Sequence, residues 1–241
     1  MTNKDVIIAC DFPSAARTLD FLGRFASLRR KPFLKIGMEL FYAEGAPLVR
    51  TLKENGYSIF LDLKLHDIQN TVKSAMAVLS SLGADMCNVH AAGGSAMMKA
   101  ALEGLRTNAP KGSCPKLIAV TQLTSTSQEM LRDELLIKET MPETIMSYAA
   151  NAAACGLDGV VCSPLEAAAV HSRCGDGFLT VTPGVRFAEG EMADQKRVMT
   201  PAQARAEGSD YIVVGRPITR AANPIEAYAR CMAEFLNEDI E

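Results

Sequence analysis

The stretch Ser58-Ile-Phe-Leu-Asp62-Leu-Lys64-Leu-His66-Asp67-Ile68-Gln-Asn70-Thr71, with its continuation to Leu82, decides the fold. Ser58–Leu65 is a short, largely apolar run of strand length, and from Ile68 to Leu82 the apolar residues fall at helical spacing. A strand that is apolar along most of its length and leads straight into a helix is the repeating unit of a parallel sheet covered by helices.

The same unit recurs in both directions. Strand-like runs lie at Val6–Phe12, Phe33–Met38, Met86–Ala91, Leu117–Leu123, Gly159–Ser163, Phe178–Val185 and Tyr211–Gly215. Helical spacing fills Ala15–Leu28, Ala46–Asn55, Ala96–Thr107, Glu143–Cys155, Leu165–Arg173, Pro201–Ala206 and Ile225–Leu236. Ser163-Pro164, Thr200-Pro201 and Asn223-Pro224 put a capping side chain before a proline at a first turn, and Gly56, Gly83, Gly156 and Gly208 stand where helices should end. Eight strands alternating strictly with eight helices over 241 residues predict an α/β protein of one domain, a (β/α)8 TIM barrel. No Gly-x-Gly-x-x-Gly turn follows the first strand, which argues against a dinucleotide-binding sheet.

With 48% hydrophobic and 22% charged residues the chain can bury a large core, and its net charge of -3 offers no general attraction to nucleic acid or an anionic membrane. Any phosphate specificity must then come from a few local cations, and the expected partner is a small phosphorylated molecule. The seven cysteines form no Cys-x-x-Cys pair and read as buried, reduced thiols. No signal peptide or apolar run of membrane-spanning length is visible, so the expected location is the cytoplasm.

A barrel of this kind builds its active site at the C-terminal ends of its strands. On the third strand a period of two puts Asp62 and Lys64 on one face, with Leu61, Leu63 and Leu65 on the other, under the helices. Lys35 lies within the second strand and Asp11 ends the first; both are costly places for a charge unless it is paired. A buried ion pair that only fixes barrel packing is the competing explanation. Asp67 could simply cap the helix that follows, or could share a ligand with Thr71, four residues on along the same helical face.

Across the barrel, Thr182-Pro-Gly184-Val-Arg186 ends the seventh strand and Val213-Val-Gly215-Arg216 ends the eighth. Loops at these two positions form the commonest phosphate site of the architecture, with glycines for close backbone approach and arginine forks for phosphate oxygens. The polar segment Phe187–Met199 between them suits a lid. His66, His90 and His171 have no metal-ligand spacing; His171 is expected on the surface of a helix, and His90 to be packed or hydrogen-bonded.

Asp62-Leu-Lys64-Leu-His-Asp67-Ile-Gln-Asn-Thr71 resembles the signature of the orotidine 5′-monophosphate decarboxylases. The resemblance spans essentially the whole chain: Cys10-Asp11-Phe12, Phe33-Leu-Lys35-Ile-Gly37, Val120-Thr-Gln-Leu-Thr124-Ser, Thr182–Arg186, Asp194-Gln195-Lys-Arg-Val and Val213–Arg216 follow the bacterial branch in order. It implies a cofactor-free decarboxylase, a homodimer with active sites at the subunit interface, and a charged network of Lys35, Asp62, Lys64 and Asp67, the last supplied by the neighbouring subunit. Lys64 would protonate C6 as carbon dioxide leaves, while Asp62 faces the departing carboxylate. Asp11, Lys35 and Thr71 would hold the ribose, Thr71 also crossing the interface; Asp67 and Ile68 would contact the substrate too, Thr124 would meet the pyrimidine edge, and Arg186, Gln195, Gly215 and Arg216 the phosphate. Phe187 departs from the proline expected after the arginine.

Related 3-keto-L-gulonate 6-phosphate decarboxylases and hexulose 6-phosphate synthases share the Asp-x-Lys-x-x-Asp strand and both phosphate loops but use magnesium. Lys35, the Ile68–Thr71 continuation and the Thr124 region favour the orotidylate enzyme. A Schiff-base aldolase would need a deprotonated lysine, which neighbouring carboxylates oppose. A nucleotide-binding protein that had lost catalysis would be expected to lack a member of the network, and all four residues are present.

Overall fold

Each strand pairs in parallel with its neighbour in sequence, and β1 (Asp5–Ala9) also pairs with β8 (Tyr211–Val214), from Asp5 opposite Tyr211 to Ile8 opposite Val214, which closes the ring. Between them run β2 (Phe33–Gly37), β3 (Ser58–Leu65), β4 (Met86–His90), β5 (Lys116–Val120), β6 (Gly159–Val161) and β7 (Leu179–Pro183). This is a computed structural model, and it describes residues 4–188 and 199–238. The barrel is wrapped by α1 (Ala15–Gly23), α2 (Met38–Glu54), α3 (Gln69–Ser81), α4 (Gly94–Thr107), α6 (Met141–Ala154), α7 (Ala167–Cys174), α8 (Pro201–Ala206) and α10 (Pro224–Leu236). Two short helices, α5 (Gln128–Asp133) and α9 (Arg216–Thr219), sit in the loops after β5 and β8.

Alternation along the strands explains why they read as continuous apolar runs. Ile7, Ala9, Phe33, Phe60, Met86, Ile118, Val181, Tyr211 and Val213 fill the barrel interior as one cluster. The intervening Val6, Ile8, Leu34, Ile36, Ile59 and Leu61 belong to the larger cluster shared with the helices. Both faces are therefore dry, and burying each such side chain is worth roughly 1.5–3 kcal/mol. Toward the C-terminal end, the inward phase passes from Phe33 to Lys35, from Phe60 to Asp62 and from Met86 to Asn88. An apolar plug thus supports a polar layer, which is where the site lies.

Most of the helix punctuation is as expected: Thr200 and Asn223 accept from the Gln203 and Glu226 backbone N–H groups, and Gly56, Gly83, Gly156 and Gly208 all have φ between +77° and +90°; at Ser163 the bond runs the other way, its backbone N–H donating to Glu166 Oε2 at 2.7 Å. Among the cysteines, Cys10, Cys87, Cys155, Cys162 and Cys231 are buried and free, and burial pushes the Cys10 and Cys87 thiols up to about 12. Three local readings need correction. The second helix starts at Met38 rather than Ala46, because two helical segments abut across a kink at Gly45, whose φ of 65° breaks the apolar periodicity. The first helix ends at Gly23, five residues short of Leu28, and continues as turns. His171 is not a surface group; its Nε2 lies 3.2 Å from the Gly208 carbonyl and 3.2 Å from Asp210, at the end of the barrel opposite the polar layer.

Helices α3 and α4 cross closely at Gly104, where a Cβ would overlap the Lys73 carbonyl. Gly104→Ala should accordingly destabilise the protein by about 1–3 kcal/mol, read as a lower urea midpoint; an unchanged midpoint would show that the crossing relaxes freely.

Candidate active site

Strand β2 brings Lys35, and β3 brings Asp62, to the barrel mouth; Lys35 pairs with Phe60 and Gly37 with Asp62, so Asp62 stands two residues beyond the partner of Lys35 and the long lysine side chain spans the difference. Lys35 Nζ lies 2.8 Å from Asp11 Oδ1 and 3.4 Å from Asp62 Oδ2. Lys64 Nζ donates to Asp62 Oδ1 at 2.6 Å. Asp11, Lys35, Asp62 and Lys64 therefore form one chain of alternating charge, as their positions in sequence suggest. Lys35 and Asp62 are each 9% exposed, so neither charge would be tolerable without the other.

The electrostatics follow from this alternation. Burial alone would raise the Asp62 carboxyl, but the Lys35 and Lys64 ammoniums, with hydrogen bonds from Lys64 and Asn88, hold it below its ordinary 3.8. Burial would likewise depress Lys35, and Asp62 and Asp11 outweigh it, so its value sits above 10.5. The signs place both charges through the neutral range. What Asp62 adds to stability is fully present above the unfolded carboxylate value and is lost as pH falls through its lowered folded value; what Lys35 adds is present below the unfolded lysine value and is lost as pH rises through its raised one. Above the network, His90 is shifted down by burial first, then by His66, whose ring lies 5.8 Å away, and by Lys64.

The strand geometry at Lys64 differs from the simple alternation predicted. Lys64 has φ 51°, the left-handed region, and the register between β3 and β4 jumps there: Leu61 pairs with Cys87 but Leu65 with Val89. A non-glycine residue in that region costs of order 1–3 kcal/mol and persists only where its surroundings enforce it. Sequence reasoning overlooked the enforcing residue, Asn88. Its place inside the apolar run Met86-Cys-Asn88-Val-His90, in phase with inward Met86, was the available signal. Gly37 was also overlooked; a Cβ there would lie 3.2 Å from both Asp11 Oδ1 and Lys35 Nζ.

Around the charges is a cavity of about 210 Å³, with Lys35, Asp62, Lys64 and Thr124 on its polar side and Phe60, Val120, Val161, Val181 and Val213 among its apolar walls. A second, open cleft of about 760 Å³ runs past Asp11, Gly215 and Arg216 and is edged by Arg17, Arg24 and Arg220. The Lys35–Asp11 pair joins the two spaces, Lys35 lining the first and Asp11 the second. The cleft has the charge to attract an anion, and Gly215 stands immediately before α9, whose first residue is Arg216.

Arg186 is buried, just beyond β7, and its backbone N–H donates to the Met199 carbonyl at 2.9 Å. That bond ties together the two ends of the segment read as a lid. Phe187 has a role of its own: the Arg230 guanidinium lies 4.2 Å from its ring centroid. Gln195 and most of the lid lie outside the described residues.

Three residues do not join the cluster. Asp67, Ile68 and Thr71 are exposed, at and just beyond the turn into α3. Asp67 Oδ1 accepts from the Ile68 backbone N–H at 2.6 Å, and among the described residues Asp67 makes no ion pair with a cation of its own chain. It does not cap α3, whose N-cap position is Ile68. Ile68 is 72% exposed, unusual for a large aliphatic side chain beside a carboxylate.

The chain is similar to known proteins over nearly its whole length. A curated orotidine 5′-phosphate decarboxylase of Bacillus caldolyticus is 57% identical over 230 residues, covering 95% of this chain and 93% of that one. Another from Streptococcus mutans is 56% identical over 229 residues, 95% and 96% of the two chains. The crystal structure of orotidine 5′-phosphate decarboxylase from Lactobacillus acidophilus superposes with a TM-score of 0.85 at 44% identity, over 96% of this chain and 99% of that one. Residues 4–231, which carry the barrel and every described residue of the charged site, match the profile of the orotidine 5′-phosphate decarboxylase / HUMPS family, and the chain belongs to that family.

Proposed function

We propose that this protein converts orotidine 5′-phosphate to uridine 5′-phosphate and carbon dioxide, the last step of UMP synthesis, as a cytoplasmic homodimer that uses neither metal nor organic cofactor. The observation that carries this reading is the array of buried Lys35 and Asp62 with half-buried Lys64 at the edge of a cavity of about 210 Å³. Loss of carbon dioxide leaves a carbanion-like centre at C6. The Lys64 ammonium, fixed by Asp62, stabilises the developing charge and then delivers its proton to that carbon. An ammonium already in place supplies the electrostatic stabilisation that another enzyme would draw from an electron sink.

The other groups bind and orient. Asp11 and Lys35 hold the ribose between the two spaces, and Thr124 meets the pyrimidine edge. Arg186, Gln195, Gly215 and Arg216 take the phosphate, whose distance from C6 lets its binding energy organise the reacting end. Asp67, Ile68 and Thr71 serve the site of a second copy; the exposure of Ile68, and the lack of an ion-pair partner for Asp67 among the described residues, support this. A magnesium-dependent sugar-phosphate chemistry fits less well. Asp62 Oδ1 already accepts from Lys64 and Asn88, and Oδ2 faces Lys35.

The test is conversion of orotidine 5′-phosphate in deuterium oxide with excess chelator. Uridine 5′-phosphate should form with one deuterium at C6, seen as loss of the H6 proton resonance. Failure of a folded sample to form uridine 5′-phosphate would overturn the assignment.

A further inference from the structure

We propose that Asn88 is the positioning residue that holds the proton-donating lysine against its aspartate, by bridging a bulge in β3. This deepens the functional reading above and rests on it. Opposite the Cys87–Val89 step of β4, strand β3 advances from Leu61 to Leu65, so Asp62, Leu63 and Lys64 all face the single residue Asn88. A bulge of this kind leaves backbone groups of the longer strand without ladder partners. The Asn88 side chain supplies one: its Oδ1 accepts from the Lys64 backbone N–H at 2.8 Å. Its Nδ2 donates to Asp62 Oδ1 at 2.7 Å.

One amide thereby fixes both ends of the bulge. Asp62 Oδ1 receives the Asn88 amide and the Lys64 ammonium together, so the carboxylate cannot rotate without breaking both bonds. Lys64, with φ 51°, is held in the left-handed region by the acceptor at its N–H. Asn88 is 1% exposed, so water cannot take its place. Asparagine suits this position because one planar group must accept from a neutral N–H and donate to an ionised oxygen. Aspartate at neutral pH has no donor, and an aliphatic residue has neither function.

A hydrogen bond to an ionised group is the strong kind, and in a reacting site its loss acts on the transition state. Asn88→Leu should lower kcat for orotidine 5′-phosphate about 10- to 100-fold while KM changes by less than about threefold. Asn88→Asp supplies the sharper readout. When ionised, the new carboxyl repels Asp62; when protonated, it regains a donor toward Asp62 and keeps an acceptor toward the Lys64 N–H. Its kcat should therefore rise relative to wild type as pH falls, a trend that mere loss of packing would not produce. If Asn88→Leu does not fold, Asn88→Asp decides alone. Turnover by Asn88→Leu within about twofold of wild type, or a pH profile of Asn88→Asp parallel to wild type, would overturn the proposal. Wild-type protein in the same assay separates the two questions: its failure to convert the substrate would sink the functional reading, not the role of Asn88.

Discussion

Lys64→Ala is expected to lower kcat for orotidine 5′-phosphate by at least about 10⁴-fold, since it removes both a proton donor and a fixed positive charge beside the reacting carbon. The fold should survive. Asp62 keeps the Asn88 amide and Lys35, so no buried carboxylate is stranded. Uridine 5′-phosphate should still bind within about tenfold of wild type, because a group acting mainly in the transition state contributes little to product affinity. Stopped assays with high enzyme concentration, alongside titration with uridine 5′-phosphate, would measure both. Near-normal turnover would remove Lys64 from the role of acid and leave the array a structural ion-pair network.

Asp67→Ala should also be nearly inactive alone, and the informative result comes from mixing it with Lys64→Ala. If Asp67 serves the partner's site, a mixed dimer contains one site with both residues intact and one with neither. Random reassociation makes half of the dimers mixed, so a mixture of two inactive proteins should regain about a quarter of wild-type activity. The expectation rests on Asp67 having no cation partner among the described residues of its own chain, although it is only three residues from Lys64. Recovery would be followed against time and concentration after mixing. No recovery from samples shown to exchange subunits would place Asp67 outside the catalytic network, or within its own chain.

Much of this architecture was legible because parallel strands buried on both faces leave long apolar runs, and capping residues punctuate the helices between them. The charged residues stood out for the same reason. Lys35 and Asp62 are charges set within otherwise apolar strand runs, and the cost of burying them implied partners. The kinked start of α2 was hidden because Gly45 and Pro47 look like a loop, although each is accommodated at the junction of two helical segments. The bulge at Lys64 was hidden because a period of two happens to predict the same meeting of Asp62 and Lys64. The true cause is a register jump between strands, which no single segment encodes, and it made a mid-strand asparagine look incidental. His171 shows the converse: helical position suggested solvent, while Asp210 and Gly208, distant in sequence, enclose it.

If this site decarboxylates a nucleotide by using its own lysine, its substrate preference and its indifference to metal can be read in one experiment. One sample would be assayed in parallel, with orotidine 5′-phosphate in excess chelator, and with 3-keto-L-gulonate 6-phosphate in magnesium. Rapid ultraviolet loss of orotidine 5′-phosphate is expected, matched by uridine 5′-phosphate formed, with no carbon dioxide from the sugar phosphate. Magnesium-dependent turnover of the sugar phosphate, with orotidine 5′-phosphate left unchanged, would overturn the assignment of this site to nucleotide decarboxylation.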